Sequence, residues 1–158
     1  SRFCLVDGQV RPVHFEFDAG KESYKLDFDW IKKEVRGGDE VRALPEDAQD
    51  RFGMQQAVRL WLTQHAPQAP DDQFRFTMVE DDRMREYVLE VTGQQDVKVP
   101  HGEYSALLLQ RADTDRLNRF WVAPGADYMP VKVESGRGGK VQLTMELKRF
   151  ERKDSSFD

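Results

Sequence analysis

The residues of this chain best able to do chemistry are three histidines, one cysteine and a dispersed set of carboxylates. His14, Glu16, Asp18, Asp27 and Asp29 alternate along one face of a stretch that reads as a hairpin, and such a set could hold a hard cation. Lys25 lies among them, however, and a half-buried sheet needs a charged outer face in any case. Nucleophilic catalysis needs a Ser, Cys or Thr beside a base, usually at a strained Gly-rich turn. No Gly-x-Ser-x-Gly occurs, and Cys4 has no activating neighbours. His65 falls in the last turn of a helical pattern, where a histidine complements the helix dipole, and His101 falls in a turn. Gly136, Gly138 and Gly139 are followed by neither a helix nor the Lys-Ser/Thr pair of a phosphate loop, so they read as turn glycines. The expectation is no catalytic residue, no cofactor and no metal, with a hydrolase the remotest reading.

The elements that carry these residues are mostly strands. Val13, Phe15 and Phe17 alternate with His14, Glu16 and Asp18. Past a turn at Ala19-Gly20-Lys21, Tyr24, Leu26, Phe28 and Trp30 alternate with Lys25, Asp27 and Asp29. Pairing Asp18 with Ser23 sets Phe17 opposite Tyr24, Phe15 opposite Leu26 and Val13 opposite Phe28 on one face. On the other it sets Glu16 opposite Lys25 and His14 opposite Asp27, which are favourable cross-strand partners. A loop at Asp113-Thr114-Asp115 predicts Leu108 opposite Phe120 and Ala106 opposite Val122. A loop at Gly136-Arg137-Gly138 predicts Val133 opposite Val141, Val131 opposite Leu143 and Glu134 opposite Lys140. Gln73–Val79, Arg83–Val91 and Asp96–Val99 complete the strands, divided by Glu80-Asp81-Asp82, Gly93 and Pro100-His101-Gly102.

One segment breaks the pattern. From Asp47 to His65, the spacing of Met54, Ala57, Val58, Trp61 and Leu62 is that of a helix burying one stripe. Asp50 is the favoured cap, with a start near Arg51, and Pro67 and Pro70 end the helix. Trp61 is expected against the apolar face that carries Phe15, Leu26 and Phe28. The sheet is expected to be antiparallel throughout, with the helix the only possible crossover.

The predicted architecture is therefore mainly β (α+β). It is a curved antiparallel sheet or half-barrel meander of about nine strands, with one amphipathic helix near 47–65 packed on its concave face. Residues 1–150 are expected to form a single domain and 151–158 a flexible tail. Such a sheet, covered by a single helix, leaves room for an apolar pocket. Its candidate lining is Phe15, Phe17, Tyr24, Leu26, Phe28, Trp30 and Trp61.

Composition narrows the partners. In 158 residues, 29 acidic side chains are interspersed with 24 basic ones, giving a net charge of −5, which disfavours nucleic acid and anionic lipid surfaces. No apolar run is long enough to cross a bilayer as a helix. A single cysteine allows no disulfide within the chain.

Several local patterns carry a family resemblance. Asp29-Trp30 ends a strand, and Leu44-Pro45 precedes Ala48-Gln49-Asp50-Arg51. Val99-Pro100-His101-Gly102-Glu103-Tyr104 forms a turn ahead of a strand. The most specific pattern is Phe120-Trp121-Val122-Ala123-Pro124 followed by Tyr128-Met129-Pro130-Val131-Lys132-Val133-Glu134. Together they cover most of residues 11–147, and the chain resembles the bacterial domain-of-unknown-function family 3108, a group of predicted envelope proteins. Gly53 departs from the pattern, where a polar residue is expected. The resemblance implies a periplasmic location, a half-barrel similar to lipoprotein carriers of the LolA/LolB type, and further strands ahead of Ser1. In that case the stretch Arg2 to Val6 would be covered by a neighbour or the helix, or poorly ordered. It implies no catalytic residues. The aromatic–proline patterns also have a plain structural reading as a strand end, a turn and the next strand's start. The function expected is a non-enzymatic envelope protein that binds an apolar or lipid-like ligand, or a lipidated partner, between sheet and helix. The alternative is an interaction module that docks another envelope protein through a sheet edge or aromatic patch.

Overall fold

Alternation and turn chemistry divide the chain into twelve strands and one α-helix among the described residues, which in this computed structural model are 1–66 and 68–151. Most of the tail expected at 151–158 lies outside them. Five strands form an antiparallel sheet in sequence order: β1 (Arg2–Val6), β2 (Gln9–Asp18), β3 (Ser23–Asp29), β4 (Glu34–Gly37) and β5 (Glu40–Ala43). A second sheet takes β6 (Ala48–Gln49), β7 (Gln73–Val79), β8 (Met84–Val99) and β9 (Gly102–Arg111). It continues with β10 (Leu117–Ala123), β11 (Met129–Arg137) and β12 (Lys140–Glu146), again in sequence order. The fold is mainly β, and neither sheet closes on itself. The helix α1 (Gly53–Gln64) links β6 to β7, which pair in parallel, so the one expected crossover is the one used. By contact the chain forms two compact units, Ser1–Gln68 with Gln73–Leu89, and Ala69–Asp72 with the chain from Glu90 onward.

In the first hairpin, five expected pairs form, from His14 with Asp27 through to Asp18 with Ser23. Val13 does not join them. Arg2 pairs with His14 and Phe3 with Pro12, so Val13 is the extra residue of a β-bulge and points to solvent, while Val10, Pro12 and Phe15 turn inward. Arg2–Val6 is an edge strand paired along its length with β2, with Phe3 and Leu5 exposed.

Two registers differ from expectation. Trp121 pairs with Leu108 and Phe120 with Leu109, one residue away from the predicted alignment. Ala106, Leu107, Leu108 and Leu109 are all buried, so both faces of β9 are covered and alternation there carries no register information. In the last hairpin the turn is Gly138-Gly139, with φ of +57° and +73°, and Val133 pairs with Met145. A two-residue turn of this kind needs positive φ at both central positions, and two adjacent glycines meet that need better than Gly136-Arg137-Gly138. β8 also runs unbroken through Gly93, where two strands were expected.

The helix begins later than its pattern suggests. Asp47 accepts hydrogen bonds from Thr77, at its carbonyl from the N–H (3.1 Å) and at Oδ1 from the hydroxyl (2.8 Å), which holds Ala48-Gln49 extended beside β7. Asp50, fully buried, accepts the N–H groups of Phe52 (2.8 Å) and Gly53 (2.7 Å) on Oδ1 and so closes the turn into the helix, but the N-cap position falls on Phe52, two residues past the expected Asp50, and carries no side-chain cap. Ala57, Val58 and Leu62 face inward.

The core of the first unit gathers Phe15, Leu26, Phe28, Val35, Leu44, Ala48 and Val79. In the second unit Ala106, Leu108, Trp121, Ala123 and Val131 form a cluster, and Trp121 Nε1 donates to Gln95 Oε1 at 3.0 Å. Ala123 ends β10, Pro124–Ala126 makes a single 3₁₀ turn and Met129 opens β11, as the structural reading of the aromatic–proline pattern requires.

Candidate functional site

A groove of about 610 Å³ runs beside α1 in the first unit. Four segments build it. Ala57, Leu60, Trp61, Gln64 and His65 recur at helical spacing and present one face of α1. Phe74 and Phe76, two apart on β7, share a strand face and supply the apolar wall opposite, with Arg75 between them. The β1–β2 turn contributes Asp7 and Gly8, which hold φ of +50° and +73°, together with Val10 and Arg11. Glu46, Asp47 and Gln49 complete the lining.

Aromatic rings follow one another along the wall. Trp61 lies 5.4 Å from Phe74 between ring centres, Phe74 lies 5.6 Å from Phe76, and Phe76 lies 5.4 Å from Tyr87. Such contacts add modestly to simple area burial. The polar lining is tied into the fold. Gln64 Nε2 donates to the Gly8 carbonyl at 3.1 Å, and Gln49 Nε2 donates to that of Val10 at 2.8 Å. Glu46 pairs with Lys33 at 3.0 Å, and the Lys33 hydrogen bond, followed by its charge, holds the Glu46 carboxyl below its ordinary value. Two buried polar atoms of the lining residues have no protein partner, Gln49 Oε1 and Arg11 Nε. His65 Nδ1 sits 2.9 Å from the Trp61 carbonyl. The lining contains no Ser, Thr or Cys. The groove thus combines an apolar wall with a rim of polar groups held by the fold.

The seven residues expected to line a pocket separate in the structure. Phe15, Leu26 and Phe28 are core, and Phe17, Tyr24 and Trp30 pack against them, with Trp30 Nε1 donating to the Pro12 carbonyl at 2.6 Å. Burial raises the Tyr24 phenol above its ordinary value, outweighing the nearby Arg51 charge. Trp61 stands apart from this set. It is half-buried with its ring tilted against that of Phe74, because the helix turns Ala57, Val58 and Leu62 inward instead. Leu60, Phe74 and Phe76 were missed. Their signal was the Phe-x-Phe alternation in the strand directly after the helix.

The polar face of the first hairpin is internally paired. His14 Nδ1 lies 2.6 Å from Asp27 Oδ1, and Lys25 pairs with Glu16 at 3.0 Å. Asp18 accepts the Gly20 N–H, and Asp29 accepts those of Ile31 and Lys32. No group of three or more potential metal ligands occurs among the described residues.

A second polar cluster was not foreseen. The buried Glu80 carboxylate, in the β7–β8 turn, accepts hydrogen bonds from Arg85 (2.7 Å), Arg83 (3.0 Å) and Arg51 (3.2 Å), and its carbonyl accepts one from Arg42 (2.8 Å). Burial pushes this carboxyl up, but the arginines outweigh it and hold the group below its ordinary value of 4.5. The cluster joins β5, the approach to α1, and β8.

No curated protein and no solved structure matches the chain. The model of one protein family matches residues 3–148, nearly the whole chain, and that family has no named activity. The chain belongs to the family described as protein of unknown function, DUF3108.

Proposed function

We propose that this chain is a non-enzymatic envelope protein, acting in the periplasm, that holds a lipid-like acyl chain in the groove beside α1. The acyl chain belongs either to a free lipid or to a lipidated partner. The observation that carries this reading is the groove itself, which is walled by Trp61, Phe74 and Phe76 while the neighbouring core is filled. Its volume of about 610 Å³ lies within the range typical of small-ligand sites, and fixed polar groups ring an apolar wall as such sites require. The lack of a nucleophile in the lining supports a carrier over an enzyme.

The test is titration with a fluorescent fatty acid, alongside native mass spectrometry of protein purified from its own envelope. Saturable binding is expected, and Leu60→Glu, which puts a charge against the apolar wall, should weaken it by at least about tenfold, given the cost of desolvating an unpaired charge. Leu60 is half-buried, so thermal melts are run alongside, and the loss of binding is read at a temperature where the variant is folded. Absence of saturable binding, or equal binding by Leu60→Glu, would rule out the groove as an acyl site. The exposed apolar residues on the edge strands favour a second reading, that of a protein-docking module.

A further inference from the structure

The lining of the groove beside α1 includes one cation that the fold neutralises poorly. Arg11 stands over the Trp30 ring, with its guanidinium carbon 5.1 Å from the ring centre. Its Nε is buried without a partner. Its one ion pair among the described residues puts Nη2 at 4.0 Å from Glu46 Oε2, with 25% of the Arg11 side chain and 67% of the Glu46 side chain open. An exposed pair at that distance contributes little. Glu46 is also committed elsewhere, since its Oε1 holds Lys33 Nζ at 3.0 Å. Stacking engages a guanidinium by its face and leaves the N–H groups of its edge to meet an oxyanion in the plane.

The other charged groups of the lining are engaged or distant. Arg75 donates to Gln73 Oε1 at 2.9 Å and pairs with Glu86 at 3.4 Å. Asp47 Oδ1 accepts the Thr77 hydroxyl. Asp7 lies on the β1–β2 turn, four positions before Arg11. At about 3.3 Å per residue that is roughly 10 Å away, about one Debye length in 0.1 M salt. We propose that Arg11 holds the anionic head of the amphiphile whose acyl chain lies along Trp61, Phe74 and Phe76. The ligand class is then a lipid ending in an oxyanion, either a carboxylate or a phosphate, and a neutral acyl ester or alcohol is a poor ligand. In hydrogen-bond contact that oxyanion sits closer to Arg11 than Glu46 does, and the bond is charge-assisted. This inference rests on the acyl-binding reading above and narrows it to one head-group chemistry.

Displacement of a neutral fluorescent probe, phenylnaphthylamine, from the full chain tests this. The competitors are laurate, monododecyl phosphate, methyl laurate and dodecanol, all kept below their micelle concentrations, so the chain length is fixed and only the head group varies. At least one oxyanion should displace the probe at about tenfold lower concentration than the ester or the alcohol, as a hydrogen bond to a charged group implies. Whichever oxyanion is preferred identifies the source as a fatty acid or a phosphate-bearing lipid. Arg11→Gln keeps a hydrogen-bonding group and removes the charge. It should bring the preferred oxyanion down to the level of the ester and leave the ester unchanged, which shows the groove intact. Equal binding of oxyanion and ester by the parent overturns the proposal while leaving the groove an acyl site, and so does a preference that survives in Arg11→Gln. If Arg11→Gln loses the ester as well, Arg11 maintains the groove's shape through Trp30, and the assignment fails. If none of the four displaces the probe, the acyl reading itself falls and takes this inference with it.

Discussion

Leu62 and Trp61 are adjacent in sequence and sit in different surroundings. Leu62 is fully buried under α1, so Leu62→Ala should destabilise by about 2–5 kcal/mol, the range for emptying a core aliphatic site. Trp61 is half-buried on the ring of Phe74, and Trp61→Ala should lose about 1–2 kcal/mol by the area it covers. Urea denaturation midpoints check the order, and equal losses would mean that Trp61 lies deeper than its contact with Phe74 implies. Glu80 makes a different prediction. Its carboxyl is held below 4.5 in the folded chain, so the unfolded chain binds the proton more tightly. The stability it contributes is fully present above the unfolded value and is lost as pH falls through that value towards the folded one. Glu80→Gln should cost about 1–3 kcal/mol at neutral pH, less than a fully buried pair because Arg51 and Arg83 are half-exposed. It should also flatten the decline in stability below pH 4.5. An unchanged slope in that window would assign the acid limb to other carboxylates.

At the scale of elements, the β11–β12 hairpin shows how turn residues set a register. A Cβ built on Gly136 would stand 1.8 Å from the Lys140 carbonyl oxygen, which is backbone and cannot step aside. Gly136→Ala should therefore cost about 1–3 kcal/mol by forcing the strands apart. Gly138 faces open space at φ +57°, and Gly138→Ala should cost about 1 kcal/mol, the usual penalty for a side chain in the left-handed region. Thermal melts of the two variants would separate these effects, and a milder loss at Gly136 would mean the hairpin can slip. The first hairpin was legible in the sequence because only one of its faces is buried, so alternation specifies the pairing from His14 to Asp18. β9 was not legible in this way, because Ala106 to Leu109 are buried on both faces and fit two registers equally.

Over the whole molecule, the topology is what short loops and one helix allow. Each strand lies beside its sequence neighbour within a sheet, and α1 supplies the parallel step between β6 and β7. Acidic and basic residues are mixed along the chain, so ion pairs such as Lys25–Glu16, Lys33–Glu46 and Arg75–Glu86 are spread over its surface. Exposed apolar side chains lie on edge strands, at Phe3 and Leu5 of β1, Val41 of β5 and Val141, Leu143 and Met145 of β12, and also between strands, where Ile31 is almost fully exposed, and just ahead of α1 at Phe52. A sheet that stops at an edge presents unpaired main-chain groups unless the edge is blunted, as the bulge at Gln142 blunts β12.

The sequence by itself determined the fold class, the presence of the helix, the first hairpin's register from His14 to Asp18 and the family. Each of these follows from side chains close together along the chain, where periodicity and turn preference act directly. Only the tertiary structure decided where the aromatic residues went. Phe15, Leu26 and Phe28 fill a core because strands distant in sequence close over them, and Trp61 lines a groove because Leu62 takes the inward position. The bulge at Val13, the assembly of Arg42, Arg51, Arg83 and Arg85 around Glu80, and the exposed edge of β12 are likewise long-range outcomes. They depend on which residues distant along the chain come to cover one another, and no local period in the sequence encodes that.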